Sequence, residues 1–125
     1  MGTNKRYAEH FDRLGMQRMY DRAMVEGKPQ SLSSAEIDLE REPVTFPPRP
    51  IPVTAWVRYP AMPVRARAWV IKWTERATAL AWSTPDAGVH GAWVWSNAVT
   101  GRVAEAGEQP PEIVNDERRP GNLPK

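Results

Sequence analysis

Apolar and polar positions alternate most regularly between Val53 and Val103. Val53, Ala55, Val57 and Tyr59 interleave with Thr54, Trp56 and Arg58, a period of two that puts one set on the buried face of a β-strand and the other outside. After a loop from Pro60 to Pro63, the stretch Val64 to Trp73 sets Val64, Ala66 and Ala68 against Arg65 and Arg67. It then turns apolar on both faces at Trp69, Val70, Ile71 and Trp73. A strand that passes from one-sided to two-sided burial is expected to be long and bent, shared between two halves of a sheet. Thr74-Glu75-Arg76 reads as a hairpin turn, and Ala77 to Ser83 returns with Leu80 and Trp82 on one face. A turn-rich loop, Thr84 to Gly88, leads to a fourth strand, Val89 to Trp95, with Trp93 and Trp95 sharing a face. Ser96-Asn97-Ala98 fits one tight turn, and Thr100 to Val103 a short fifth strand. The pattern predicts a mainly β fold with an α appendage, the strands of residues 53–103 curling into a small antiparallel barrel.

The period changes upstream. Residues 4–26 read as a helix, capped by Thr3 or Asn4 and stopped by Gly27 with Lys28-Pro29 behind it. Tyr7, Phe11 and Leu14 lie on one stripe; beyond Gly15 the apolar positions move to Met16, Met19, Tyr20, Ala23 and Met24. The stripe drifts, so this is no heptad. It is an arm that packs on the barrel, on a second copy or on a different partner. The candidate protein-contact residues are Tyr7, Phe11, Met16, Met19 and Tyr20. Ser33-Ser34-Ala35-Glu36 carries the capping-box pattern and predicts a short helix from Ser34 to Arg41, anchored by Ile37 and stapled by Leu32. Four segments follow: a helical arm (1–42), a proline-rich connector (43–52), the barrel (53–103) and a mobile tail (104–125) without periodicity, held at most by Ile113, Val114 and Leu123.

Composition sharpens this division. Seven of the 13 prolines fall between Pro43 and Pro63, and Phe46-Pro47-Pro48-Arg49-Pro50-Ile51-Pro52 must be largely extended. Its Pro47-x-x-Pro50 spacing suits either a stiff linker or a docking peptide for an aromatic groove. The net charge of +2 conceals a gradient. Residues 43–103 hold seven basic and two acidic groups, net +5; residues 1–42 are net −1 and residues 104–125 net −2. With no cysteine, disulfides, thiol catalysis and cysteine-bound zinc are excluded. No segment approaches the roughly 20 apolar residues of a membrane span, so a cytoplasmic location is the default expectation.

Little catalytic chemistry can be assembled. His10 and His90 lack metal-ligand spacing to another histidine or a carboxylate, and no glycine-rich phosphate loop or Ser/His/Asp order is present. The barrel stretch holds only Glu75 and Asp86 as acids, both in turns. The expectation is a protein that is not an enzyme, with no cofactor, metal or small-molecule substrate. What remains is arginine and tryptophan on a basic sheet. Arg58, Arg65, Arg67, Lys72 and Arg102, with Trp56 or Trp69 exposed among them, form a candidate nucleic-acid surface, since guanidinium groups neutralise phosphates and indoles stack on bases. The competing reading is structural: tryptophans fill the core and outward arginines solvate the sheet.

Five short strands, a long second strand, a tight hairpin and then Trp93-Val94-Trp95-Ser96-Asn97-Ala98-Val99 resemble an SH3-like small barrel. In SH3 domains an apolar residue, proline, serine, asparagine, tyrosine and valine coil as one 3₁₀ turn between the last two strands. Ser96, Asn97 and Val99 match that pattern, while Trp95 stands at the proline and Ala98 at the tyrosine. The succession of basic strand, hairpin, strand and aromatic is also similar to Tudor-type barrels. In style of composition the chain resembles small actinobacterial or phage proteins. The resemblance implies barrel topology and a binding module. A partner protein or a second copy is the first expectation, and nucleic acid on the basic Arg/Trp face the alternative.

Overall fold

The computed structural model describes residues 15–85 and 88–112. Residues 15–23 are helical (α1) and tighten into a 3₁₀ turn at Met24–Glu26. Gly27 stops the turn at φ 131°, a conformation that favours glycine, with its N–H on the Met24 carbonyl. The expected helical residues 4–14 lie outside the described residues, as do Tyr7 and Phe11.

The capping box forms as its pattern predicts. Glu36 N–H donates to Ser33 Oγ at 3.1 Å, and Ser33 N–H donates to Glu36 Oε1 at 2.9 Å. The helix it starts (α2, Ser34–Ile37) is shorter than expected. Asp38 turns left-handed at φ 57°, and the Arg41 and Glu42 N–H groups both donate to its carbonyl. Beyond the buried Ile37, Asp38, Glu40 and Arg41 are all exposed, and too little apolar surface is left to hold further turns on the sheet.

Five strands follow: β1 (Ile51–Arg58), β2 (Pro63–Trp73), β3 (Ala77–Thr84), β4 (Gly88–Trp95) and β5 (Val99–Gly101), with a 3₁₀ turn at Ser96–Ala98 before the last. They form one antiparallel sheet in the order β4-β3-β2-β1-β5. The β1–β2 register pairs Val53 with Ala68, Ala55 with Ala66 and Val57 with Val64, all buried. The alternate pairs, Thr54 with Arg67 and Trp56 with Arg65, face outward. Pairing of β2 with β3 shifts between Val70 and Lys72, a bulge at Ile71. The extra residue produces the two-sided apolar stretch legible at Trp69 to Trp73. Leu80, Trp82, Ala92 and Val94 complete the inner face, and Tyr20 and Ala23 of α1 pack into the same core.

The closed barrel expected from the alternation is not formed. β4 and β5 are the two edges of an open sheet. β5 has only three residues and covers Val53–Ala55 of β1. Residues 30–32 bridge the gap beyond it. Gln30 N–H donates to the Arg58 carbonyl at 2.7 Å, Leu32 N–H to the Trp93 carbonyl at 2.9 Å, and Trp93 N–H to Ser31 Oγ at 2.8 Å. Farther along, Thr45 exchanges two backbone hydrogen bonds with Trp73 at 2.7 and 2.9 Å. The arm and the connector are therefore tied to the sheet at separate points.

The interior has one polar relay. Trp82 Nε1 donates to the Tyr59 hydroxyl oxygen at 3.1 Å, and that hydroxyl shares a hydrogen bond of 2.8 Å with Nδ1 of His90, the imidazole tautomer setting which of the two donates. Tyr59→Phe strands the buried indole N–H and removes its acceptor. It is expected to cost about 1–3 kcal/mol of stability, measured by urea unfolding followed by tryptophan emission.

Candidate functional site

β1 alternates inward Val53, Ala55 and Val57 with outward Thr54, Trp56 and Arg58. β4 alternates inward Ala92 and Val94 with outward Trp93 and Trp95. Because the sheet is open, these two outward rows border the gap between the strands. A cleft of about 620 Å3 opens there, lined among others by Leu32, Glu36, Trp56, Arg58, Trp93 and Trp95. Its volume lies in the range of ligand-binding clefts, roughly 300–1,000 Å3. Trp56 is 52% exposed and Trp95 41%, large apolar surfaces left bare on one side of a small fold.

The walls differ in charge. Glu36 projects from α2, its Oε1 occupied by the Ser33 N–H of the capping box. Arg58 lies on the β1 wall, and Arg65 sits directly across from Trp56 on the same outward face. Among the described residues neither arginine has an ion-pair partner.

The predicted basic surface is divided rather than gathered. Trp69 is buried, and the guanidinium carbon of Arg102 stands 5.3 Å above its ring centroid, so no base can stack there while Arg102 stays in place. The Lys72 ammonium lies 5.9 Å from the Phe46 ring and 5.8 Å from the Trp93 ring. Arg67 meets Glu105 at 2.9 Å and Glu108 at 3.4 Å. Arg58 and Arg65 remain exposed. Of the arm residues, Tyr20 is buried in the core with its ring edge-on to Tyr59, and Met16 and Met19 pack against that core.

The segment read as a featureless tail begins with a folded clasp. Arg102 donates to the Val53 carbonyl from Nε at 2.8 Å and to Glu108 Oε1 from Nη1 at 2.8 Å, and the Glu105 N–H donates to the same oxygen at 2.9 Å. Gly107, at φ 81°, makes the turn between the two glutamates. Sequence reasoning missed this clasp and the Ser31, Leu32 and Glu36 wall of the cleft. Glu105-x-x-Glu108 with an intervening glycine was the available sign of a turn; the wall left no periodic signal. Trp56, by contrast, was readable as outward from the alternation alone.

No family model, curated protein or solved structure matches the chain. Among the described residues no group of three or more His, Asp or Glu side chains is placed to hold a metal, and no helix is long and apolar enough to cross a membrane.

Among the described residues, Glu108 and His90 both contribute to the acid response. The Arg102 hydrogen bond, aided by the Glu105 N–H and the charges of Arg102 and Arg67, holds the Glu108 carboxyl down to about 2. Burial lowers His90 below its ordinary value, and the charge of Lys28 adds to that. Both folded-state values lie below the unfolded ones, so the unfolded chain binds protons more readily and stability falls as pH falls. His90 acts from about 6.5 downward, Glu108 between its ordinary 4.5 and about 2. Urea midpoints measured across pH 8 to 3 are expected to decline in two limbs. His90→Gln is expected to flatten the upper limb and Glu108→Gln the lower.

Proposed function

We propose that this chain is a non-enzymatic binding module that receives a segment of a partner protein in the cleft between β1 and β4. The observation that carries this reading is the pair of half-exposed indoles, Trp56 and Trp95, on opposite walls of one cleft. Tryptophan and arginine dominate the energetics of protein interfaces, and here both types line the same opening. The strand order β4-β3-β2-β1-β5, with a 3₁₀ turn joining β4 to β5, is what an SH3-like topology requires; on this reading the sheet is a small barrel of that type left open along one seam. On this reading the partner surface lies in the seam; Tyr20, Met16 and Met19 of the arm stripe pack on the core, and Tyr7 and Phe11 lie outside the described residues.

Nucleic acid is the second reading, favoured by Trp56 having Arg65 opposite it on β2 and Arg58 two residues along β1 on the outward face. Against it, Arg67 and Arg102 already hold Glu105 and Glu108. A polyanion needs several free cations along its track.

A random-peptide display selection against the intact chain tests the first reading. Wild type is expected to enrich sequences that bind at least about tenfold more weakly to Trp56→Ala, with circular dichroism unchanged because the side chain is outward. If no enriched peptide depends on Trp56 or Trp95, the cleft is not the binding site.

A further inference from the structure

We infer that the segment received in this cleft is extended and acidic, presenting a glutamate or aspartate next to an apolar side chain. The inference rests on the binding reading above and names the chemistry of its partner. The charge pattern carries it. Seven basic side chains stand between residues 43 and 103, and those of the sheet's outer face have different fates. Arg67 and Arg102 are neutralised by the clasp glutamates. The Lys72 ammonium is laid over two aromatic rings. Arg58 and Arg65, the two that flank Trp56, have no carboxylate partner among the described residues. Arg58 lines the cleft and Arg65 faces Trp56 from β2, and either planar guanidinium can take a carboxylate through two parallel N–H···O bonds.

The opposite wall fixes direction. Glu36 repels an acidic side chain placed beside α2, although its Oε1 is engaged by the Ser33 N–H. The acid is therefore directed to the Arg58 side, and the neighbouring apolar group to Trp95 and Leu32. The clasp adds selectivity, since Glu105 and Glu108 next to Arg67 disfavour a long polyanion that runs across the whole sheet. A short acidic segment avoids them. An extended segment suits a cleft walled by outward side chains of two strands, β1 and β4; it is held through side chains, because residues 30–32 already engage backbone groups of both strands.

The test uses the full chain and synthetic copies of the display-selected peptides, with affinity read from tryptophan emission at two salt concentrations. Expected are peptides enriched in Glu or Asp, with affinity reduced about two- to fivefold by Arg58→Gln or Arg65→Gln and more by Arg58→Glu. Arg18→Gln, an exposed position on α1, is expected to leave binding unchanged. Neutral or basic peptides that depend on Trp56 but not on Arg58 would overturn the acidic class while leaving the cleft as the binding site. Peptides that bind independently of Trp56 and Trp95, or none at all, would sink both readings. A single-stranded deoxythymidine oligonucleotide provides the last arm. If it quenches emission with a steep salt dependence and displaces the peptides, the ligand is nucleic acid and the inference is wrong.

Discussion

Trp82 is the side chain around which the inner face of the sheet is assembled. It is fully buried, and an indole of that size fits only where the facing strands give up volume. They do so with alanines: Ala55 on β1 and Ala66 and Ala68 on β2 are all buried in the same cluster. The indole also brings an N–H that has no access to water. Its acceptor is the Tyr59 hydroxyl, which also bonds His90, while the Tyr59 ring meets the Tyr20 ring in a T-shaped contact. That last contact comes from α1, so the helical arm is part of the wall around Trp82. The Met16 and Met19 side chains pack against the same core cluster.

One interior tryptophan leaves five to be placed elsewhere, and their surroundings differ. Trp73, after the bulge, packs against the edge of the core. Trp69 lies on the outer face under the Arg102 guanidinium, and Trp93 lies near the Lys72 ammonium. A cation over an indole adds about 0.5–1 kcal/mol of attraction at an exposed site, and its aliphatic stem covers apolar area as well. Trp56 and Trp95 have no such cover and remain half exposed. Of the five, the two at the seam are thus the ones left half exposed.

The strands were legible because one face of each is buried, which forces a period of two into Val53 to Tyr59 and Val64 to Ala68. The bulge was legible indirectly, as the loss of that period at Trp69 to Trp73. The α2 cap was legible because its two hydrogen bonds are local, confined to Ser33 and Glu36. What could not be read depends on backbone contacts between distant segments. Gln30, Ser31 and Leu32 meet Arg58 and Trp93 through main-chain groups and one hydroxyl, and Thr45 meets Trp73 in the same manner; such contacts impose no side-chain pattern. The exposure of Trp69 was misjudged for a related reason. Its cover comes from Arg102, thirty-three positions downstream, which a strand-by-strand reading treats as one more solvated cation. The cleft inherits this illegibility, since it exists only because β5 stops short.

An open seam is a hazard for a β protein, because unpaired strand edges invite pairing with other chains. This chain limits the hazard in one place and leaves it in another. Gln30 and Ser31 occupy the edges of β1 and β4 at Arg58 and Trp93, with a backbone amide and a hydroxyl in place of a sixth strand. Extending β5 would have covered more of β1, but the 3₁₀ turn at Ser96–Ala98 consumes the residues that would do so. If the seam were only an imperfection of closure, the basic side chains beside it would be expected to fold over the bare indoles, as Arg102 does over Trp69. Arg58 and Arg65 flank Trp56 and make no such contact. The same sheet therefore holds a cation over the indole of Trp69 and leaves Trp56 and its neighbouring arginines uncovered at the cleft. That asymmetry is the physical ground of the proposal that recognition lies on this side of the molecule.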